Sequence, residues 1–184
     1  MSEAGEFQII EQFFTYPSFG AWKSQGVGDD CAIIDTGAGR LAVTCDMTAL
    51  GTHFFPDADP EDVGYKALAV NLSDLAAAGA VPRAFFLSIG LPRRDDGWLA
   101  DFSRGLMALA HESGCALLGG DTTRTPEIDG RHAPATISIT AMGDLPAGMG
   151  LTRSGAQPGD DIWVSGTVGD AYAALMCQIG RAHV

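Results

Sequence analysis

The stretch 59-DPEDVGYKALAVNLSDLAAAGAVPRAFFLSIGLP-92 contains a predicted helix and a predicted strand in one run. Asp59 is a good N-cap, Pro60 fits the first helical position, and acids follow in the first turn, so a helix is expected to begin here and to end at Gly79. Residues 81–92 are mostly apolar, with Pro82 and Pro92 near the two ends of the run, which predicts a strand. Sheet and helix are therefore expected to pack on each other.

The flanking sequence continues this pattern in both directions. Residues 31–47 predict a hairpin with its turn at 35–39, and residues 5–14 predict a short amphipathic helix. Residues 95–114 predict a second long amphipathic helix. Residues 115–121 predict a short strand that ends in glycines and an acid, and residues 135–145 predict an alternating strand. These neighbours favour an α+β fold, a mostly antiparallel sheet with helices packed on one face.

The composition changes near residue 145. Residues 145–160, LPAGMGLTRSGAQPGD, are rich in glycine and proline and are typical of an inter-domain linker. Residues 161–176 then predict a strand, a glycine loop and the start of a helix. We therefore expect an N-terminal domain at 1–145, followed at 146–184 by a linker and the truncated start of a second α/β domain. The last six residues, IGRAHV (179–184), match a possible translation of a common sequencing adapter, and we hypothesise an artefact there.

Charge and composition exclude several classes of protein. The net charge is −12, with 17 aspartates and only two lysines, which argues against nucleic-acid binding. No apolar run reaches the roughly 18 residues of a membrane helix, so no membrane partner is expected. The four cysteines are widely spaced without a CxxC pair, which disfavours zinc and disulfides and fits the reducing cytoplasm.

The placement of particular aspartates points to a divalent cation. Asp29 and Asp30 are adjacent, and neighbouring carboxylates resist sharing a site unless a cation or proton separates them. Asp46 and Asp121 are predicted at strand ends. Asp74 lies on an apolar helix, where it is either paired, metal-bound or simply turned to solvent. Hard oxygen ligands favour Mg²⁺ or Ca²⁺, and Mg²⁺ is commonly completed by waters and phosphate oxygens.

Other residues suggest phosphate binding, each with a plainer alternative. Gly119 and Gly120 would let backbone amides approach a phosphate, or they form a tight turn at a strand end. Arg153 could clamp a phosphate, or it is a solvated loop arginine. His53, between aromatic residues, is by itself more often a packed or surface histidine. The P-loop pattern is absent, and no serine has a His/Asp arrangement typical of a nucleophile.

Five motifs together resemble the N-terminal part of the thiamine-monophosphate kinase family, within the superfamily of aminoimidazole-ribonucleotide synthase. They are GVGDDCAI (26–33), TCDM (44–47), residues 53–83, LLGGDTTR (117–124) and residues 151–171. The resemblance implies a transferase that moves a phosphoryl group from ATP to thiamine monophosphate, giving thiamine diphosphate. It also implies several Mg²⁺ ions, no protein nucleophile and a cytoplasmic homodimer formed by the N-terminal domains.

The resemblance also implies roles for particular residues. The implied metal ligands are Asp30, Thr44, Cys45, Asp46, Asp74 and Asp121. Gly120, Asp121 and Arg153 would contact ATP, and His53 would contact the substrate. Cys45 departs from the family pattern, and a soft thiol is a poor Mg²⁺ ligand unless the backbone carbonyl does the work. Two alternatives stay open: another enzyme of the superfamily, of selenophosphate-synthase or hydrogenase-maturation type, and a non-catalytic Mg²⁺-binding dimerisation fragment.

Overall fold

A computed structural model describes residues 6–15, 23–25, 27–146, 149–164 and 166–181. The chain divides into two compact units, Met1–Ser154 and Gly155–Val184. The predicted domain boundary at residue 145 falls earlier, inside the first unit. None of the helices in the described part of the chain is long and apolar enough to cross a membrane.

A six-stranded sheet organises the first unit. In chain order its strands are β1 (Lys23–Gln25), β2 (Ala32–Asp35), β3 (Arg40–Ala49), β4 (Val81–Leu91), β5 (Ala116–Arg124) and β8 (Thr136–Leu145). Their spatial order is β1-β2-β3-β8-β4-β5, and a separate pair is formed by β6 (Glu127–Ile128) and β7 (Arg131–His132). Only the β4–β5 pairing of the six-stranded sheet is parallel. The predicted mostly antiparallel sheet is confirmed.

Two long helices cover one side of this sheet, as predicted. Helix α2 (Pro60–Ala77) is capped by Asp59, whose carboxylate accepts a hydrogen bond from the amide of Glu61 at 2.9 Å. Helix α3 (Asp96–Ser113) ends at Gly114, which adopts the left-handed conformation that favours glycine. Helix α2 lies against β3, β4 and β8, and α3 packs mainly on α2. Helix α1 (Glu6–Ile9) is short and continues as a π-helical turn, Ile10–Phe14.

The core lies between α2 and the sheet. Phe85, Leu68, Leu75, Ile137 and Ile139 are its largest fully buried apolar side chains. Along β8, buried and partly exposed residues alternate, as expected for a strand with one covered face. The other side, which we call the open face, carries exposed or partly buried side chains. In register across the strands these are Cys45, Met47, Phe86, Ser88, Asp121, Thr136, Ser138 and Thr140.

Two aspartates predicted at strand ends lie within strands instead. Strand β3 continues past Asp46 to Ala49, because β8 pairs with it along its whole length. Strand β5 continues past Asp121 to Arg124, because β4 pairs with it through that residue. The expectation that β5 ends in its glycines was therefore wrong, and the pairing of distant strands is the reason.

The second unit contains helix α4 (Asp170–Arg181), which confirms the predicted helix. The strand predicted from residue 161 is not formed: residues 161–164 have no regular structure. Ile162 and Trp163 are 95% and 88% exposed. Strand formation depends on a neighbouring strand for its backbone hydrogen bonds, and none pairs with these residues in the part of the chain that the structure describes.

Candidate functional site

Strand β3 and helix α2 are bridged by a threonine and a carboxylate. The hydroxyl of Thr44 donates a hydrogen bond of 2.7 Å to Oδ2 of Asp74. Thr44 is buried, with 6% of its surface exposed. A hydrogen bond from a buried hydroxyl fixes the orientation of the carboxylate that accepts it. Asp74 is thus paired with a partner from the sheet, which decides against the solvated alternative left open by the sequence.

A second bridge lies two residues further along β3. The backbone amide of Asp46 donates to Oδ1 of Asn71 at 3.1 Å, and Nδ2 of Asn71 donates to the carbonyl of Ala67 at 3.0 Å. Asn71 is fully buried. Strand β2 begins at Ala32, opposite Val43, so beyond Val43 this edge of β3 has no β2 residue to pair with. The Asn71 side chain takes the place of a strand partner there.

Asp29 and Asp30 lie in the loop before β2 and meet Arg153. The guanidinium donates from Nε to Oδ1 of Asp30 at 3.0 Å and from its Nη2 to the same oxygen. The backbone amide of Arg153 contacts both carboxylate oxygens of Asp29 at 3.3 Å. We call Asp29, Asp30, Asp74 and Arg153 the acidic corner, since Asp30 pairs with the guanidinium, Asp29 accepts the Arg153 backbone amide and the charge of Asp74 acts on the same arginine.

Besides burial of Cys31 and a hydrogen bond of Arg153, the negative charge of the three aspartates in the acidic corner raises the pKa values of both groups. The pKa of Cys31 is raised to about 12, first by burial of the thiol and then by the charges of Asp74, Asp30 and Asp29. The pKa of Arg153 is raised by its hydrogen bond to Asp30 and by the charges of Asp30, Asp29 and Asp74. The three carboxylates are thus close enough to act on the same two groups.

The donor chemistry of the acidic corner fits Mg²⁺. Its groups are carboxylate oxygens, and Mg²⁺ is usually held by one or two carboxylates together with waters and phosphate oxygens. Among the described residues, no group of three or more His, Cys, Asp or Glu side chains has the geometry of a ready-made metal site. A site with few protein ligands that is completed by a phosphate agrees with both observations.

Two predicted metal ligands lie on the opposite side of the sheet. Cys45 points to the open face, where the Thr140 hydroxyl donates to its sulfur at 3.3 Å. The thiol of Cys45 therefore points away from the acidic corner, and its backbone carbonyl is the only group of Cys45 that could serve as a ligand there. Asp121 also lies on the open face, in register with Ser88, and two strands, β8 and β4, lie between its strand and that of Asp46. The structure does not bring Asp121 and Asp74 together within one chain.

The open face has a shallow hollow beside Asp121. Its volume is about 240 Å³, and its lining includes Ser88, Asp121, Thr123, Thr136 and Ser138. Gly120 precedes Asp121 with φ of 149°, and a Cβ at this position would lie 1.7 Å from the carbonyl oxygen of Leu87. Gly120 is therefore required for the close β4–β5 pairing, and it is not part of a turn at a strand end.

His53 is oriented by hydrogen bonds within its own loop. Its Nδ1 accepts the backbone amide of Ala49 at 3.0 Å, so the neutral ring carries its proton on Nε2. Lys66 donates to the carbonyl oxygen of His53 at 2.6 Å and ties the loop to α2. His53 is exposed, and Nε2 is the ring nitrogen left to contact a ligand. The structure does not bring His53 and Arg153 into contact.

Comparison with known proteins agrees with the fold. The family described as "AIR synthase related protein, N-terminal domain" matches residues 28–145, which is more than half of the chain. The chain belongs to this family. The matched range includes β2 to β8 and every predicted site residue except Arg153.

Particular relatives are enzymes of one kind. The thiamine-monophosphate kinase of Salmonella typhimurium is 43% identical over 182 residues, which cover 98% of this chain and 54% of that protein. Among solved structures, "AaThiL complexed with AMPPCP and TMP" matches with TM-score 0.77 and 30% identity, covering 86% of this chain and 48% of the other. The thiamine-monophosphate kinase of Stenotrophomonas maltophilia matches with TM-score 0.71 and 46% identity, covering 85% and 48%. The chain thus spans about half the length of these relatives.

The sequence patterns do not predict the contacts of two residues of this region. Asp29 is predicted only as a neighbour of Asp30, yet its carboxylate contacts the backbone amide of Arg153. Asn71 is not among the predicted site residues. A signal for it exists, because Leu68, Asn71 and Leu75 follow a helical spacing that predicts one buried stripe. A polar residue inside such a stripe is expected to have a specific hydrogen-bond partner.

Proposed function

We propose that this chain is the N-terminal half of an ATP-dependent kinase that phosphorylates thiamine monophosphate to thiamine diphosphate. The observation that carries the proposal is the acidic corner, where carboxylates from a loop and from helix α2 act on the same arginine. The kinase relatives and the complex with AMPPCP and TMP supply the substrate class. The activity belongs to the whole protein.

The acidic corner gives this chain a way to bind an anionic nucleotide despite its net charge of −12. The chemistry that Mg²⁺ would supply here is neutralisation of the phosphate charge. Asp30 and Asp74 would hold such ions, with Thr44 fixing Asp74 through its hydroxyl. Asp46 extends the same face of β3. Phosphoryl transfer of this kind requires positioning and charge neutralisation and no protein nucleophile.

Arg153 and His53 have separate roles in this proposal. The Arg153 guanidinium, which pairs with Asp30 in this structure, would bind a phosphate oxygen with its planar fork of N–H donors. His53 presents Nε2–H at the other end of β3, where it would donate to the phosphate of thiamine monophosphate. We infer that the loop held by Lys66 orients this donor.

We further propose a homodimer that covers the open face. Met47, Phe86 and Val81 are exposed apolar side chains of β3 and β4. A dimer would bury this surface and would also give Asp121 a role that its own chain does not offer. We assign Asp121 to a site completed by the second copy. Since the proposed reaction consumes ATP and the cysteines suit a reducing compartment, we place the protein in the cytoplasm.

Calorimetric titration with AMPPCP tests the nucleotide part of the proposal. The full chain is titrated with AMPPCP in the presence and absence of Mg²⁺, and binding is expected only with Mg²⁺. Asp74→Asn should abolish that binding. Asp101→Asn, which removes a carboxylate paired with Arg104 on α3, is the matched control and should bind as the unchanged chain does. Equal binding by Asp74→Asn would overturn the assignment.

Phosphorylation of thiamine monophosphate is tested on a longer protein that spans the full length of the kinase relatives. Formation of thiamine diphosphate from ATP and thiamine monophosphate, measured by chromatography, is the expected result. Nucleotide binding without any turnover by that longer protein would favour the non-catalytic alternative.

A further inference from the structure

Asn71 connects the two elements that carry the proposed metal ligands. It lies one helical turn before Asp74 on α2, and its side chain reaches the backbone of Asp46 on β3. Thr44 and Asp74 make the other link between the same two elements. Residues 44 and 46 share a face of β3, and residues 71 and 74 share a face of α2, so the two links lie side by side.

We propose that Asn71 is a positioning residue that holds the Asp46 segment of β3 against α2 and thereby sets the placement of the Asp46 carboxylate. This inference rests on the proposed Mg²⁺ site and adds to it a residue that contacts neither metal nor nucleotide. Asn71 acts through the backbone of a ligand-bearing residue, in the way that outer residues orient the ligands of known metal sites.

Three observations carry the proposal. Asn71 is fully buried, and burying an amide is costly unless both ends are hydrogen-bonded. Both ends are bonded, and the two bonds fix which end of the amide faces Asp46, because only the oxygen accepts from an N–H. Finally, β2 does not extend to this part of β3, so a side chain supplies the bond that a strand would otherwise make.

The neighbouring positions of this buried stripe, Leu68 and Leu75, are apolar, so core packing alone does not require an amide at position 71. The bond to Asp46 gives the asparagine a reason beyond core packing. The mutation Asn71→Ser separates the bond to Ala67 within α2 from the bond to Asp46 on β3. A serine hydroxyl in a helix bonds the carbonyl four residues earlier, which here is Ala67, but it is too short to reach β3.

The test measures Mn²⁺ binding to the full chain by the loss of the free-ion electron paramagnetic resonance signal, with amide hydrogen exchange at Asp46 as a second readout. For Asn71→Ser we expect the Mn²⁺ dissociation constant to rise about 10- to 100-fold. Exchange at the Asp46 amide should accelerate while that of Val43 stays as it is. Leu109→Ala, a core truncation on α3, is the control for lost stability and should leave both readouts unchanged.

The outcomes separate this inference from the proposed function. Tight Mn²⁺ binding by the unchanged chain and equally tight binding by Asn71→Ser would overturn the positioning role alone. If the unchanged chain binds neither Mn²⁺ nor AMPPCP with Mg²⁺, both the positioning role and the proposed function are overturned. If Asn71→Ser does not fold, Asn71→Ala removes both bonds without adding a polar group to the core. A folded Asn71→Ala chain that binds Mn²⁺ as tightly as the unchanged chain would then overturn the proposal.

Discussion

At the scale of single residues, the site depends on which side chains of β3 point toward helix α2. Thr44 contributes a hydroxyl and Asp74 a carboxylate, and the side chain of Cys45 points to the other face because strand residues alternate. A one-residue shift of β3 against α2 would exchange these roles. In TCDM (44–47), alternate side chains therefore point to opposite faces of the sheet, and Thr44 and Asp46 are the two that face α2.

Replacing Thr44 by valine tests the link to Asp74. The change keeps the shape and removes the hydroxyl, so the partly buried Asp74 carboxylate loses its donor, at a cost of about 1–2 kcal/mol in the free energy of unfolding. Urea denaturation monitored by circular dichroism measures it. Thr48→Val, the same change on the same face of β3, is the control and should cost less. An unchanged unfolding midpoint for Thr44→Val would contradict the role of the bond.

Replacing Arg153 by glutamine tests competition at Asp30. The guanidinium and a divalent cation both require the Asp30 carboxylate, so Arg153→Gln should bind Mn²⁺ more tightly, by up to about fivefold for an exposed ion pair. The same variant should bind AMPPCP with Mg²⁺ more weakly. Calorimetry measures both constants. Arg83→Gln, which breaks an ion pair with Asp144 on the open face, should change neither. Weaker Mn²⁺ binding by Arg153→Gln would argue against competition.

At the scale of secondary-structure elements, the close approach of α2 and α3 depends on two glycines. A Cβ at Gly64 would lie 2.0 Å from the carbonyl oxygen of Phe102, and a Cβ at Gly105 would lie 1.9 Å from that of Glu61. Each glycine therefore allows the backbone of one helix to approach the other. Asp74 and Asn71 are positioned by α2, so this crossing affects the site indirectly.

Gly105→Ala should destabilise the chain although alanine is the better helix former. Overpacking costs about 1–3 kcal/mol or more, against a gain of about 1 kcal/mol in helix propensity. We expect a lower thermal unfolding midpoint by calorimetry. Gly97→Ala lies in the same helix with 3.6 Å to its nearest atom, Asp95 Oδ1, and should leave the midpoint equal or higher. Equal midpoints for both variants would mean that the helices can separate at little cost.

At the scale of the whole molecule, the sheet has one covered and one open face. The open face carries exposed Met47 and Phe86, and Asp121 lies there away from Asp74. The exposed apolar surface and the displaced aspartate have one common explanation in the proposed homodimer. Closed two-fold pairing uses the same patch on both copies, so a change on this patch acts twice.

Phe86→Glu should therefore convert the proposed dimer to a monomer. Phe86 is 40% exposed at the centre of the open face, and a dimer would bury two new carboxylates there. Light scattering after size-exclusion chromatography measures the mass. Tyr65→Glu, a similarly exposed aromatic position on α2, should keep the mass of the unchanged chain. A dimeric Phe86→Glu chain would place the interface elsewhere.

Sequence patterns by themselves predicted most of the helices and strands and the oxygen-donor character of the candidate site. Asp59, Pro60 and Gly114 marked helix ends through local backbone preferences, and alternation marked β8, because such signals act between residues close in the chain. The acidic residue types predicted a hard cation for a similar reason, since ligand chemistry belongs to the side chain itself. Most of the fold and the oxygen-rich character of the site could therefore be predicted.

The tertiary structure decided which of these residues meet. Asp30 and Arg153 are 123 positions apart, and the path of the chain after β8 brings them together. Asp121 lies on β5 and on the open face, whereas Asp74 lies on α2 and bonds to β3 from the covered face. No local sequence pattern encodes the order of the strands or the face on which a residue lies. Asn71 gained its role only because β2 stops short of Asp46. Strand pairing and register depend on the whole core at once, and for that reason the composition of the site was predictable while its geometry was not.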